Sequence, residues 1–156
     1  MPYHENQNLR RWWVILLCTI PALLLICIAI LFNNENSWLA IALVLAVIPC
    51  LAIILLQFNL SINEHGIEYS ISMLFKIYKK VINWNDISSI KVRPLNKLAE
   101  FGGLGIRYNP STKIWGVIFQ GDNGIEITKI NGEKIEISTM NGAAIESVIP
   151  TYFTNK

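Results

Sequence analysis

The chain has few side chains that could act as nucleophile, general base or metal ligand, and they do not form a catalytic set. Of its two histidines, His4 lies in a polar N-terminal segment and His65 in a predicted turn. Nucleophilic catalysis by serine or cysteine needs a base within hydrogen-bond reach of the nucleophile. The three cysteines all lie inside long apolar runs: Cys18, Cys27 and Cys50. We therefore predict that the protein is not an enzyme and holds no cofactor or metal ion.

Two further motifs have the residue types of a phosphate-binding or catalytic site but lack the rest of it. The glycine cluster at 101–105, Phe-Gly-Gly-Leu-Gly, is not followed by the Lys-Ser/Thr pair of a phosphate-binding loop. Its glycines instead predict a sharp turn or a close backbone approach. Glu126, Glu133 and Glu136 fall in a predicted hairpin without an acid or base partner, so we expect them on a solvated face.

Positive charge is concentrated in one stretch of the chain. Residues 73–97 contain six basic residues and one acidic residue, whereas the net charge of the whole chain is only +2. The six are Lys76, Lys79, Lys80, Lys91, Arg93 and Lys97. They form a candidate surface for anionic membrane lipid, where each basic side chain contributes about 1 kcal/mol. The alternative is a solvated sheet edge, and the small net charge gives no indication of nucleic-acid binding.

A candidate ligand groove follows the glycine cluster. Arg107 lies next to Tyr108 in a predicted strand, and Trp115 lies in the next strand. Arg107 could simply be an exposed strand arginine, it could stack on Tyr108 or Trp115, or it could line the groove. The structural interpretations are favoured, and the groove is the alternative.

Two apolar runs precede these residues and dominate the first third of the chain. Residues 12–32 and 38–58 are each 21 residues long and contain no charged side chain or histidine. A helix of that length rises about 31 Å, enough to cross a bilayer. Arg10 and Arg11 precede the first run and the short loop between the runs has no basic residue. By the positive-inside rule this predicts an integral protein of the cytoplasmic membrane with both termini cytoplasmic.

The runs divide the chain into three predicted segments. These are a cytoplasmic N-terminal segment (1–11), a two-helix transmembrane hairpin (12–58) and a cytoplasmic β-domain (59–156). Each predicted helix has one proline at the same depth from its cytoplasmic end, Pro21 in the first and Pro49 in the second. Matched kinks would splay the hairpin for a partner helix, and the alternative is the ordinary tolerance of proline in membrane helices.

The apolar pattern of residues 59–156 predicts a series of short strands followed by one helix over 141–153. Because the connections between the strands are short, all of the strands are predicted to be antiparallel. The last hairpin can be assigned by register. A three-residue loop ending at Gly132 pairs Ile127 with Ile135, whereas a two-residue loop pairs Ile127 with Glu136. The first register keeps the apolar side chains on one face and is favoured. Its cost is Glu126 opposite Glu136 on a face expected to be exposed.

The glycine and strand patterns of this region resemble those of bacterial membrane-anchored PH-like proteins. The resemblance lies in 101–108, 124–127 and 132–138, and in the turn at 84–87 that begins with a tryptophan. It implies a PH-like barrel of about seven antiparallel strands and a C-terminal helix. The predicted fold class is therefore an α-helical transmembrane hairpin plus a mainly-β PH-like barrel. Because the shared motifs are structural, the resemblance says little about the ligand.

These observations favour a non-catalytic, membrane-anchored binding or scaffolding module at the cytoplasmic membrane face. Its barrel would present a strand edge or a groove to a membrane or cytoplasmic protein. One alternative is an anionic-lipid-sensing regulatory module that works through the basic stretch. The other is an accessory subunit of a membrane transporter complex that uses the proline bends. The oligomeric state is left open.

Overall fold

The structure, a computed structural model, describes residues 2–8, 19–20, 23–24, 27, 56–73 and 76–153. In these residues it shows nine β-strands, two α-helices with defined ends and one turn of 3-10 helix. The strands are β1 (Tyr3–Asn8), β2 (Gln57–Asn63), β3 (Gly66–Met73), β4 (Lys76–Asn83), β5 (Ile87–Pro94), β6 (Gly105–Asn109), β7 (Ile114–Ile118), β8 (Asn123–Lys129) and β9 (Lys134–Thr139). The helices are α1 (Lys97–Phe101) and α2 (Gly142–Tyr152), and the 3-10 turn is Trp84–Asp86.

The strands form two sheets, in the orders β1-β2-β3-β4 and β5-β8-β9-β7-β6. In the second sheet β9 lies between β8 and β7, so that β7 and β9 run parallel with Val117 opposite Ile137. The prediction that all strands are antiparallel is wrong for this pair. Short connections determine the direction within each hairpin, but they do not determine which strand of the β8–β9 hairpin meets the neighbouring β6–β7 hairpin.

The β8–β9 hairpin has the predicted register. Ile127 lies opposite Ile135 and Glu126 lies opposite Glu136. Gly132 in the loop has a φ of 84°, a value that residues with a Cβ rarely adopt. The expected exposure of the glutamate pair is wrong for Glu136, which is fully buried. Glu136 is covered because Arg93 of β5 and Glu100 of α1 lie over that face of the sheet.

Alternating apolar side chains of both sheets form the main core. The first sheet contributes Phe58, Leu60, Ile62, Ile67 and Ile82, and the second contributes Ile125, Ile127, Ile135 and Ile137. Phe58 stacks on Phe119, with 4.7 Å between the ring centroids. Helix α2 adds the buried Ile145 and begins after Asn141, whose side chain accepts a hydrogen bond from the backbone N–H of Ala144 at 3.1 Å. This confirms the predicted helix, with Asn141 as its N-terminal cap.

The opposite face of the second sheet carries a smaller core under α1. It consists of Leu95, Phe101, Ile114 and Ile118. Phe101 lies over Gly116 of β7, where an added Cβ would be 2.5 Å from the ring. Gly102 ends α1 with a φ of 69°, the left-handed conformation common after a helix. The predicted role of the glycine cluster as a sharp turn is confirmed, whereas α1 itself was not predicted.

The predicted fold class and localisation need correction. Among the residues that the structure describes, no helix is long and apolar enough to cross a membrane, which contradicts the predicted transmembrane hairpin and the predicted integral-membrane localisation. Gln57 and Phe58, assigned to the end of the second span, are instead the first residues of β2. They form a strand because Phe58 begins a period-two alternation that buries it with Leu60. Residues 19–20, 23–24 and 27 are helical, and the rest of the two runs before residue 56, with Pro21 and Pro49, lies outside the described residues.

The chain divides into two compact units. One comprises Met1–Gln7, Phe58–Ile71 and Tyr78–Lys156, and the other comprises Asn8–Gln57 and Ser72–Ile77. The first unit contains nearly all of β1, which the sequence analysis placed in a separate N-terminal segment. β1 pairs with β2 at the end of the first sheet. The β-domain therefore includes residues that precede the predicted boundary at 59.

Candidate functional site

A cleft of about 210 Å³ opens on the first compact unit, between residues of β3 and β4 and residues of β6, β7 and β9. We call it the aromatic cleft. Its lining residues are Tyr69, Tyr78, Lys80, Ile106, Trp115, Val117, Glu133 and Ile135. Most binding sites combine a predominantly apolar lining with a few polar groups, as this cleft does.

The floor of the aromatic cleft is buried and its rim is half exposed. Tyr69, Val117 and Ile135 are each at most 3% exposed. Tyr78, Ile106 and Trp115 are 48%, 50% and 46% exposed. The rim therefore presents large apolar surfaces to solvent above a packed base.

Tyr69 connects the aromatic cleft to the main core. Its ring centroid lies 6.4 Å from that of Phe58 on one side and 6.4 Å from that of Tyr78 on the other. Burial raises the pKa of Tyr69 above its ordinary range, with smaller contributions from Tyr78 and Glu133. Tyr69 therefore joins the cleft wall that it forms with Tyr78 to the packed residues of the main core.

Two of the residues that line the aromatic cleft, Lys80 and Glu133, carry opposite charges. Glu133 accepts a hydrogen bond from the Nζ of Lys129 at 2.6 Å, and this bond is the main cause that lowers the pKa of Glu133. The positive charge of Lys80 lowers it further. Glu133 is therefore ionised at neutral pH and neutralised chiefly by Lys129.

The structure brings together two of the three residues of the predicted groove. Tyr108 lies opposite Trp115 across β6 and β7, with 5.0 Å between their ring centroids. Arg107 lies between Ile106 and Tyr108 in the strand, so its side chain points to the other face of the sheet. Its Nε donates a hydrogen bond to the carbonyl oxygen of Leu104 at 3.2 Å. Arg107 is thus an exposed strand arginine, and alternation along the strand separates it from both rings.

A comparison with protein-family models identifies the domain. The family described as bacterial PH domain matches residues 2–140. The chain belongs to the bacterial PH domain family. The match begins before β1 and extends through β9. No curated protein and no solved structure matches the chain. Membership in this family indicates a binding module.

The basic stretch of this bacterial PH domain is distributed over two sheets and a helix. Lys79 of β4 forms an ion pair with Glu68 at 2.6 Å, and Lys97 of α1 forms one with Asp122 at 3.3 Å. Lys91 is exposed on β5. Lys80 lines the aromatic cleft, and the side chain of Lys76 lies outside the described part of the chain.

Arg93, the remaining member of the basic stretch, is at the centre of an acidic cluster. Its guanidinium binds Glu136, donates to Glu100 at 2.6 Å and lies 3.4 Å from Glu126. The hydrogen bond to Glu100 is the main cause that raises the pKa of Arg93. Burial raises the pKa of Glu136, and Arg93 opposes that shift. Arg93 thus stabilises the packing of α1, β8 and β9 around it.

The sequence analysis missed a second polar cluster, which attaches β1 to the end of β9. The buried carboxylate of Glu5 accepts hydrogen bonds from the hydroxyl of Tyr3 at 2.5 Å, the amide of Gln7 at 2.6 Å and the hydroxyl of Thr139 at 2.6 Å. The backbone N–H of Met140 donates a fourth, at 2.9 Å. Four donors satisfy this carboxylate without a cation. Burial raises the pKa of Tyr3 to about 12, and the second-largest cause is its hydrogen bond to the Glu5 carboxylate.

Proposed function

We propose that this bacterial PH domain is a non-catalytic binding and scaffolding module whose protein partner binds in the aromatic cleft. The observation that carries the proposal is the rim of Tyr78, Ile106 and Trp115, three large side chains about half exposed around one cleft. Clustered apolar side chains on a surface are typical of interaction sites, and tyrosine and tryptophan are enriched among the residues that dominate binding energy.

The arrangement of the basic residues gives less support to the lipid-sensing alternative. Lys79, Arg93 and Lys97 each form an ion pair within the domain. An ion-paired cation attracts an anionic leaflet less than a free one, because the neighbouring carboxylate repels the same headgroups. The positive charges of three of the six basic residues are therefore already balanced by carboxylates of the domain itself. The accessory-subunit alternative depends on Pro21 and Pro49, which lie outside the described residues.

The test compares two substitutions of exposed apolar residues in the full chain. Trp115→Ala removes the largest side chain of the rim, and Leu98→Ala removes a side chain of α1 that is 79% exposed and does not line the aromatic cleft. Each tagged chain is crosslinked in cells and captured, and the partners are quantified by mass spectrometry. We expect a partner that is retained by the parent chain and Leu98→Ala and reduced at least about tenfold by Trp115→Ala.

Thermal unfolding of both variants provides the control for folding. A partner captured equally by all three chains would contradict the cleft as the binding site. The loss of every partner in both variants would contradict it as well, because the effect would then not be specific to the aromatic cleft.

A further inference from the structure

We infer that the partner is an extended peptide segment that pairs with β6 as an additional strand, with apolar side chains in the aromatic cleft and an acidic side chain opposite Arg107. This inference rests on the proposed function and specifies the chemistry of the partner. It follows from the position of β6 in the sheet, from the difference between its two faces and from the charge on one of them.

β6 is an open edge of the second sheet. Among the residues that the structure describes, it is the last strand in the order β5-β8-β9-β7-β6 and pairs only with β7. The backbone groups on its other side are available to a further strand, as in peptide recognition by strand addition. Its central residues, Ile106, Arg107 and Tyr108, are exposed on both faces.

The other edge strands carry features that discourage such pairing. β5, at the far end of the same sheet, has Lys91 and ends in Pro94, and β4, at the edge of the first sheet, has Lys79 and Lys80. Edge lysines and prolines are common protections against strand addition. β1 is bonded to the end of β9 through Glu5. β6 contains neither lysine nor proline.

The two faces of β6 would select different side chains on an added strand. On one face, Ile106 lines the aromatic cleft and Tyr108 packs against Trp115 of the cleft rim. On the other face stands Arg107. Because side chains alternate along a strand, a peptide paired with β6 would present apolar, polar and apolar residues in turn.

Arg107 determines the charge of the middle residue. None of the ion pairs among the described residues includes Arg107, whereas Arg93, Lys79 and Lys97 all have carboxylate partners. The one hydrogen bond of its side chain that the structure shows, from Nε to the carbonyl of Leu104, leaves the rest of the guanidinium free for a carboxylate. Glutamate or aspartate at the position opposite Arg107 would supply it.

The same arginine disfavours a second copy of this chain as the partner. An antiparallel pair of two β6 strands centred on Arg107 would put two guanidinium groups directly opposite each other, and like charges in that position are destabilising. An acidic segment of another protein meets no such repulsion. We therefore assign the edge to a partner strand with the pattern apolar-acidic-apolar.

The test uses three fluorescein-labelled synthetic peptides and the full chain. The acidic peptide is Thr-Leu-Glu-Leu-Thr, the basic peptide is Thr-Leu-Lys-Leu-Thr, and the third is the acidic peptide with N-methylated backbone amides. Fluorescence polarisation should show the acidic peptide binding at least about tenfold more tightly than the basic one, and no binding of the N-methylated one. Arg107→Glu should reverse the preference, whereas Lys91→Glu, an equal change of charge on another strand, should preserve it.

Equal affinity for the acidic and basic peptides, binding that survives N-methylation, or no binding of any peptide would each overturn the inference. These outcomes are separable from failure of the proposed function. If no peptide binds but capture of a cellular partner still depends on Trp115, the aromatic cleft is a binding site for a partner of other chemistry. If capture does not depend on Trp115, the proposed function fails as well.

Discussion

Glu136 on β9 binds the guanidinium of Arg93 on β5 although β8 lies between these two strands. Arg93 lies opposite Gly124 of β8, where no side chain blocks the path. The same guanidinium binds Glu100 of α1 and lies near Glu126 of β8. One cation therefore joins three carboxylates from three elements, and two of these carboxylates would repel each other without it.

Replacement of Arg93 by methionine should strongly destabilise the domain. It leaves the fully buried Glu136 without its cation, and breaking a buried pair from one side costs about 3–5 kcal/mol. Since Arg93 is 31% exposed, we expect about 2–3 kcal/mol by urea denaturation at pH 7. Lys91→Met, at an exposed position of the same strand, should change stability by less than about 0.5 kcal/mol. Equal effects of the two substitutions would show that the ion pairs of Arg93 add no stability.

Gly124→Ala should destabilise the domain through Glu136. A Cβ at this position would lie 2.3 Å from the Oε1 of Glu136, whose carboxylate is held in place by Arg93. We expect a loss of about 1–2 kcal/mol, in the range of overpacking in a core. The control is the same substitution in a Glu136→Ala background, where the loss should largely disappear. A loss that persists there would place the clash elsewhere.

The pH dependence of stability should include a contribution from Glu100. Its hydrogen bond to Arg93 is the main cause that lowers its pKa below the ordinary value of 4.5 in the folded state. A group with a lowered pKa stabilises the fold above that ordinary value and loses the effect as the pH falls through the folded-state pKa. Glu100→Gln should therefore lose less stability than the parent chain on acidification below pH 4.5. Parallel stability–pH curves for the two chains would contradict this assignment.

Glu5→Gln should weaken the attachment of β1. The carboxylate of Glu5 accepts four hydrogen bonds, and an amide would direct its own N–H groups toward some of the same donors. We expect a loss of about 1–3 kcal/mol by urea denaturation. The pKa of Tyr3 should also fall from about 12, since Glu5 is one of its causes, and the phenolate absorbance measures it. His4→Gln, at an exposed position of the same strand, should leave both quantities nearly unchanged.

Features encoded within a short stretch of sequence could be predicted. The β8–β9 register follows from keeping Ile127 and Ile135 on one face with Gly132 in the loop, and the start of α2 follows from Asn141 and the helical spacing after it. For the candidate site, the sequence indicated Tyr108 and Trp115, which are cross-strand neighbours joined by a short connection. Each of these depends on residues within about fifteen positions of one another.

Features that depend on distant partners could not be predicted. β1 has no apolar alternation, and the partners that attach its buried residues Glu5 and Gln7 to the rest of the domain, Ser138 and Thr139, lie more than 100 positions away. The other wall of the aromatic cleft, Tyr69 and Tyr78, comes from the first sheet, and the sequence does not show which parts of the two sheets meet. Arg93 is a basic residue in a basic stretch, which by sequence alone suggests lipid binding. Its carboxylate partners, Glu100, Glu126 and Glu136, are distant in sequence or on other elements and become apparent only in the tertiary fold.

The attachment of β1 also determines when the domain can be completed during synthesis. β1 emerges from the ribosome first, but its neighbour in the sheet begins only at Gln57. The hydroxyl of Thr139, which closes the cluster around Glu5, is translated 134 positions later. Until then the carboxylate of Glu5 must stay solvated even where β2 is available to pair with β1, because the donors on Thr139 and Met140 do not yet exist. Docking of the N-terminal strand is thus a late event in folding, and translation stalled before residue 139 would leave the first sheet without its anchored edge.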